Sequence, residues 1–177
     1  MSSGFDGNGV PETVKRSYFP FSFLALSVIA LDQASKMFVV TRIRFHETYP
    51  VIDGLFNLVH VRNRGMAFGI MNRPDIEWSF YLLTATTLGA VLLLIIWFFR
   101  LRDEELGLVP GLSLIVGGAL GNLIDRLRLH EVIDFIDFYV GTYHWPAFNL
   151  ADSAITVGAF WLALKMLTSP VSKRMSR

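Results

Sequence analysis

The chain of 177 residues contains no cysteine. Disulfides, a thiol nucleophile and zinc–thiolate centres are therefore excluded, and any catalysis must use oxygen or nitrogen groups. Charge is scarce too. Only 18% of residues are charged, against about a quarter in an ordinary soluble domain. Lys+Arg 16 against Asp+Glu 15 is close to balance, and a pI near 8.1 gives no signal for nucleic acid. Several reaction motifs are also missing. Ser153 has no GxSxG turn around it. His46, His60, His130 and His144 lack metal-ligand spacing such as HExxH. No phosphate-binding glycine loop follows a strand.

Apolar residues, by contrast, make up 53% of the chain, and mean hydropathy is +0.46. That composition excludes disorder, and the length suits one domain. Four apolar spans set the expected architecture. Trp78 to Phe99 carries no charge over 22 residues. At ~1.5 Å per residue it covers ~33 Å, enough for the ~30 Å hydrocarbon core. Aromatics stand at both its ends, as membrane interfaces favour. The others run from about Phe19 to Val40, Gly107 to Ile124 and Leu150 to Thr168. The first is expected to be a retained helix and not a signal peptide, since it continues past Asp32 without a small-residue cleavage site. Residues 1–17 read as a polar, Gly-rich mobile tail, 18–168 as the membrane domain and 169–177 as a basic tail.

Four spans put both termini on one side, and the 41–77 and 125–149 connections together on the other. Lys and Arg are denser beside the span ends in the tails and the 100–106 turn, which points to cytoplasmic termini. Residues 51–56 and 58–61 are rich in β formers and predict a small strand platform within 41–77 at the membrane surface. Met66 to Met71 is expected to touch lipid or pack on the helices.

Polar groups inside spans are the informative ones, because a charge at a helix centre costs roughly 2.5–3.5 kcal/mol and usually finds a partner. Asp32 and Lys36 are four apart on one helical face. They can form a structural ion pair, or shape a polar cavity. Lys165 can snorkel from the end of the last span. Gly117 and Gly121 form a small-residue face for close helix approach. Asn122, Asp125 and Arg126 are carried to the outer end of that span, where the last two can pin the helix end. Alternation along 132–138 places Asp134 and Asp137 on opposite faces. Asp152, at the start of the last span, can be a dipole-favoured helix carboxylate.

Taken together, Asp125, Asp134, Asp137 and Asp152 lie on one side near one interface. Two aspartates a few ångströms apart cannot both ionise easily, so they share a proton. Such a pair can deprotonate a water and protonate a leaving amine, which is peptide hydrolysis. A transporter would need charges lining a path through both leaflets, whereas these cluster towards one side. A scaffold would leave the clustered aspartates unexplained.

Five segments, in order, resemble the bacterial lipoprotein signal peptidase family, signal peptidase II. They are Leu31-Asp32-Gln33-Ala34-Ser35-Lys36, Asn63-Arg64-Gly65-Met66-Ala67-Phe68, the Gly117 to Arg126 run, Val132-Ile133-Asp134-Phe135, and Phe148-Asn149-Leu150-Ala151-Asp152-Ser153. The resemblance covers about residues 31–158. It implies a mainly α membrane protein of four transmembrane helices with a small extracytoplasmic β platform. It selects Asp134 and Asp152 as the catalytic dyad, which sequence physics alone could not do. Asp32, Lys36, Asn63, Gly65, Asn122, Asp125, Arg126 and Asn149 match positions that would line or brace the site. It further implies cleavage of prolipoprotein signal peptides just before a diacylglyceryl-modified cysteine, inhibition by the cyclic peptide globomycin, no metal and no organic cofactor. Residence in the inner membrane follows. One chain carries every required group, so a monomer is expected. Met66 stands where the family usually has a small residue, and Asp137 is an extra acid with no catalytic role assigned.

Overall fold

Four long helices account for most of the chain in the computed structural model, which describes residues 12–64 and 77–168. They are α1 (Glu12–Arg42), α2 (Glu77–Phe99), α3 (Val109–Leu129) and α4 (Leu150–Thr168). All four are long and apolar enough to cross a membrane. The tail segments 1–11 and 169–177, Gly65 and the Met66–Met71 run lie outside the described residues.

Two helix ends differ from expectation. Residues 12–17, assigned to the tail from composition, belong to α1. The third span continues past Ile124 to Leu129 and ends where His130 adopts a left-handed φ of 58°, its N–H donating to the Arg126 carbonyl at 2.9 Å. Asp125 and Arg126 are thus inside the helix.

The central helix is α3, against which the other three pack. Its glycines make this possible. A Cβ on Gly117 would stand 2.7 Å from the Ala25 carbonyl oxygen of α1, and one on Gly121 would stand 2.7 Å from Asp32 Oδ2. Gly121 therefore leaves the space that a buried carboxylate occupies. At one end of the bundle Phe98, Leu101, Leu108, Val109, Leu112 and Leu162 form an apolar cluster. The outward faces carry Phe23, Leu26, Leu92, Leu93 and Phe160, all exposed, as a helix facing hydrocarbon requires.

At the other end lies a four-stranded antiparallel sheet in the order β1 (Thr48–Ile52), β2 (Phe56–Asn63), β3 (Val132–Val140), β4 (Tyr143–His144). The platform expected within 41–77 supplies only β1 and β2. The segment after α3 completes it, since Val61 opposes Asp134 and Asn63 opposes Val132. The two connections do share a side. The β1–β2 turn falls at 53–55, where Gly54 takes a φ of 78° that L side chains resist. Val39 of α1 and Ile43 just after it pack against Phe135 of β3, which fixes the sheet to the bundle.

Candidate active site

The first layer of the site is a buried ion cluster. Lys36 is 2% exposed and Asp32 is fully buried. Its ammonium lies 2.9 Å from Asp32 Oδ2 and 2.8 Å from Asp125 Oδ2, and donates to Asn122 Oδ1 at 2.9 Å. All three ammonium donors are therefore used. The two carboxylates also accept backbone hydrogen bonds. Asp32 Oδ1 accepts from the Ala151 N–H at 3.0 Å, and Asp125 Oδ2 accepts from the Ile133 N–H at 3.3 Å. These bonds tie α1 to α3, to the start of β3 and to the first turn of α4. The sequence offered ion pair and cavity as alternatives for Asp32 and Lys36; the structure has the pair, extended to Asp125. A buried charge that loses its partner is strongly destabilising.

Gln33, to which the sequence assigns no role, also belongs to this cluster. Its Nε2 donates to Asp32 Oδ2 at 3.2 Å, Asp125 Oδ1 at 3.0 Å and the Gly121 carbonyl at 3.2 Å. The available signal was a polar amide inside an apolar span.

The second layer is built on Asn149, which is fully buried. It stands just before α4 and forms a reciprocal cap with Asp152. The Asp152 N–H donates to Asn149 Oδ1 at 3.0 Å, and the Asn149 N–H donates to Asp152 Oδ2 at 3.2 Å. The amide of Asn149 also donates to Asp134 Oδ1 at 2.8 Å, to Asn122 Oδ1 at 3.1 Å and to the Ile133 carbonyl at 3.2 Å. One residue thus touches both Asp134 and Asp152. Asn122 completes the frame by donating to Asp152 Oδ1 at 2.8 Å, and Asn63 donates to Asp134 Oδ2 at 3.1 Å.

Among the described residues, no ammonium or guanidinium lies within ion-pair distance of Asp134 or Asp152. Burial in a site where Asp134 is 3% exposed, followed by the charge of Asp152, pushes the Asp134 carboxyl up to about 7. Hydrogen bonds from Asn63 and Asn149 and the more distant Lys36 pull it down, without prevailing. Arg126 is half-buried within electrostatic range of Asp152, Asp134 and Asp125. Among the described residues, neither Asp134 nor Asp152 takes a hydrogen bond from it.

The structure therefore brings Asp32, Lys36, Asn63, Asn122, Asp125, Asn149, Asp134 and Asp152 into one network, with Arg126 beside it; Gly65 is outside the described residues. Asp137 faces away, as alternation along β3 predicts. It is buried and pairs with Asn57 and His144. Ser153 Oγ donates to the Asn149 carbonyl at 3.0 Å, an ordinary helix back-bond. A carboxyl that holds its proton near neutral pH, beside a second carboxylate, can exchange protons with a water and with a leaving group.

Comparison with known proteins gives concordant findings. A family model described as Signal peptidase (SPase) II matches residues 24–168. A lipoprotein signal peptidase of Nitratidesulfovibrio vulgaris is 50% identical over 151 residues, covering 85% of this chain and 91% of that protein. One of Oleidesulfovibrio alaskensis is 51% identical over 147 residues, covering 83% and 94%. A solved bacterial membrane enzyme superposes with a TM-score of 0.76 at 29% identity, covering 86% of this chain and 96% of that one. A second has a TM-score of 0.75 at 30% identity, covering 85% and 88%.

Proposed function

The chain belongs to the signal peptidase II family of multi-pass membrane proteases, and we propose that it removes signal peptides from prolipoproteins by an aspartyl mechanism, cutting on the N-terminal side of a diacylglyceryl-modified cysteine. Asp134 and Asp152 are the dyad. The observation that carries this reading is that Asn149 hydrogen-bonds both carboxylates while the Asp134 carboxyl is raised to about 7.

The steps follow from that arrangement. The pair holds one proton. The scissile carbonyl enters beside protonated Asp134, which polarises it. Asp152 takes a proton from water as the water attacks the carbonyl carbon. The resulting diol collapses as a proton passes to the leaving nitrogen, and the pair regains its starting state. Asn63, Asn122 and Asn149 hold the carboxylates in place, and Asp32, Lys36 and Asp125 brace them from below. Arg126 stands beside them, and Gly65 is a further lining residue that the family resemblance implies. The substrate segment must be extended at the cleavage site, because helical hydrogen bonding hides its carbonyl carbons.

The enzyme resides in the bacterial inner membrane with both termini cytoplasmic and the sheet end extracytoplasmic. Its partners are diacylglyceryl-modified prolipoproteins and membrane lipid, with globomycin as a competing ligand. It acts as a monomer, without metal or organic cofactor. The test is cleavage of a synthetic diacylglyceryl precursor peptide by purified protein in lipid. Wild type should cleave before the modified cysteine, and Asp134→Asn and Asp152→Asn should not. Full activity in either variant removes that residue from the dyad.

A further inference from the structure

We propose that Asp137 and His144 form a positioning pair that sets the geometry between Asp134 and Asn149 by clasping the hairpin that joins them. This rests on the dyad reading above and assigns a role to two residues outside it.

Asp134 stands on β3, and the residue that orients it, Asn149, follows the return segment after β4. The chain between them folds back on itself. The Trp145 N–H donates to the Phe138 carbonyl at 2.8 Å, and Phe148 exchanges hydrogen bonds with Ile136 at 2.8 and 3.1 Å. Asn149 is the next residue. Where this hairpin closes therefore decides where the Asn149 amide meets Asp134 Oδ1.

Backbone pairing beyond Phe148 is thin. β4 has only two residues, and Pro146 has no N–H to contribute. A side-chain clasp spans the gap. Buried Asp137 faces His144 Nδ1 at 2.9 Å from Oδ1 and 3.0 Å from Oδ2, and accepts from Asn57 Nδ2 at 2.9 Å. An ionised Asp137 only accepts, so Nδ1 of His144 carries a proton and donates. The imidazole also stacks on Tyr139 with centroids 5.0 Å apart. The Tyr139 hydroxyl in turn accepts from the Gly54 N–H at 2.8 Å. The clasp thus binds β4 to β3, to β2 through Asn57 and to the β1–β2 turn. Asp137 itself points to the opposite face of β3 from Asp134, so its influence on the reaction runs through the backbone.

His144 is half-exposed, so its variants should fold. His144→Ala removes the donor. His144→Asn places an amide where Nδ1 stood and keeps it. In the precursor-peptide assay His144→Ala should lower kcat about tenfold, because small misplacements of catalytic groups are expensive, with KM within about twofold. His144→Asn should recover most of the loss. A second readout does not need activity. Carbon NMR of carboxyl-labelled aspartate, with the Asp134 signal identified by its loss in Asp134→Asn, reports the titration of that group. His144→Ala should raise its midpoint, because the Asn149 hydrogen bond that favours the charged form is weakened; His144→Asn should leave it near the wild-type value. An unmoved midpoint in His144→Ala, or kcat equal to wild type, overturns the pair's role. Equal losses in His144→Ala and His144→Asn overturn it as well. If the midpoint moves as expected while wild type fails to cut the precursor, the positioning stands and the substrate assignment fails.

Discussion

Two pairs of buried aspartates share one polar network, and they differ in what stands between their members. Asp32 and Asp125 share Lys36, whose ammonium approaches both within 3 Å. Asp134 and Asp152 share Asn149, which offers both only neutral N–H donors. A full charge offsets much of the repulsion between two carboxylates, whereas an amide only orients them. The first pair is bridged by that ammonium and holds the helices together. The second has only the more distant Arg126 and Lys36 to offset its repulsion, and a proton resolves it. Residue type alone thus says little about whether an aspartate braces or reacts; the neighbour decides.

The contrast can be broken from either side. The largest effect falls on chemistry: Asp152→Asn should reduce precursor cleavage by ~10³-fold or more, while the protein still extracts as a folded species. Next, Lys36→Met should convert the bracing pair into two unneutralised buried carboxylates. The loss of stability should be on the order of 3–5 kcal/mol, read by thermal unfolding in detergent.

Asp134→Asn should act in the opposite direction on stability. The folded-state carboxyl sits near 7, above its ordinary 3.8. Between those values the native state binds more protons than the unfolded chain, so wild-type stability falls as pH rises through that window. The asparagine variant escapes this fall. It should gain on the order of 2–4 kcal/mol over wild type at pH 8, and nothing from this source near pH 4, as melting at the two pH values will show. The smallest effect is expected at Gln33. Gln33→Leu removes one amide donor from the bracing pair and should lower stability by about 1–2 kcal/mol, with cleavage retained.

Much of this arrangement was legible before any coordinates. An uninterrupted apolar run such as Trp78 to Phe99 has few alternatives to a membrane helix, and counting spans places the two connections on one side. Alternation separated Asp134 from Asp137. Spacing alone showed that Asp32 and Lys36 could meet. What stayed hidden depends on contacts between distant segments. Nothing local announces that Lys36 also reaches Asp125, or that Gln33 bridges the two. The sheet was only half visible, because β3 carries two aspartates among its apolar residues and reads as a site before it reads as a strand. The selection of Asp134 came from family resemblance; its geometric reason, a hydrogen bond from an asparagine 15 residues later, belongs to the folded chain.

The central claim is that the charge of Asp152 and the burial of Asp134 together hold a proton in the site. Titration of the Asp134 carboxyl by carbon NMR, in wild type and in Asp152→Asn, tests it most directly. The account predicts a midpoint near 7 in wild type and a lower one once the Asp152 charge is gone. A wild-type midpoint in the ordinary carboxylate range near 4, or one that Asp152→Asn leaves in place, would contradict it.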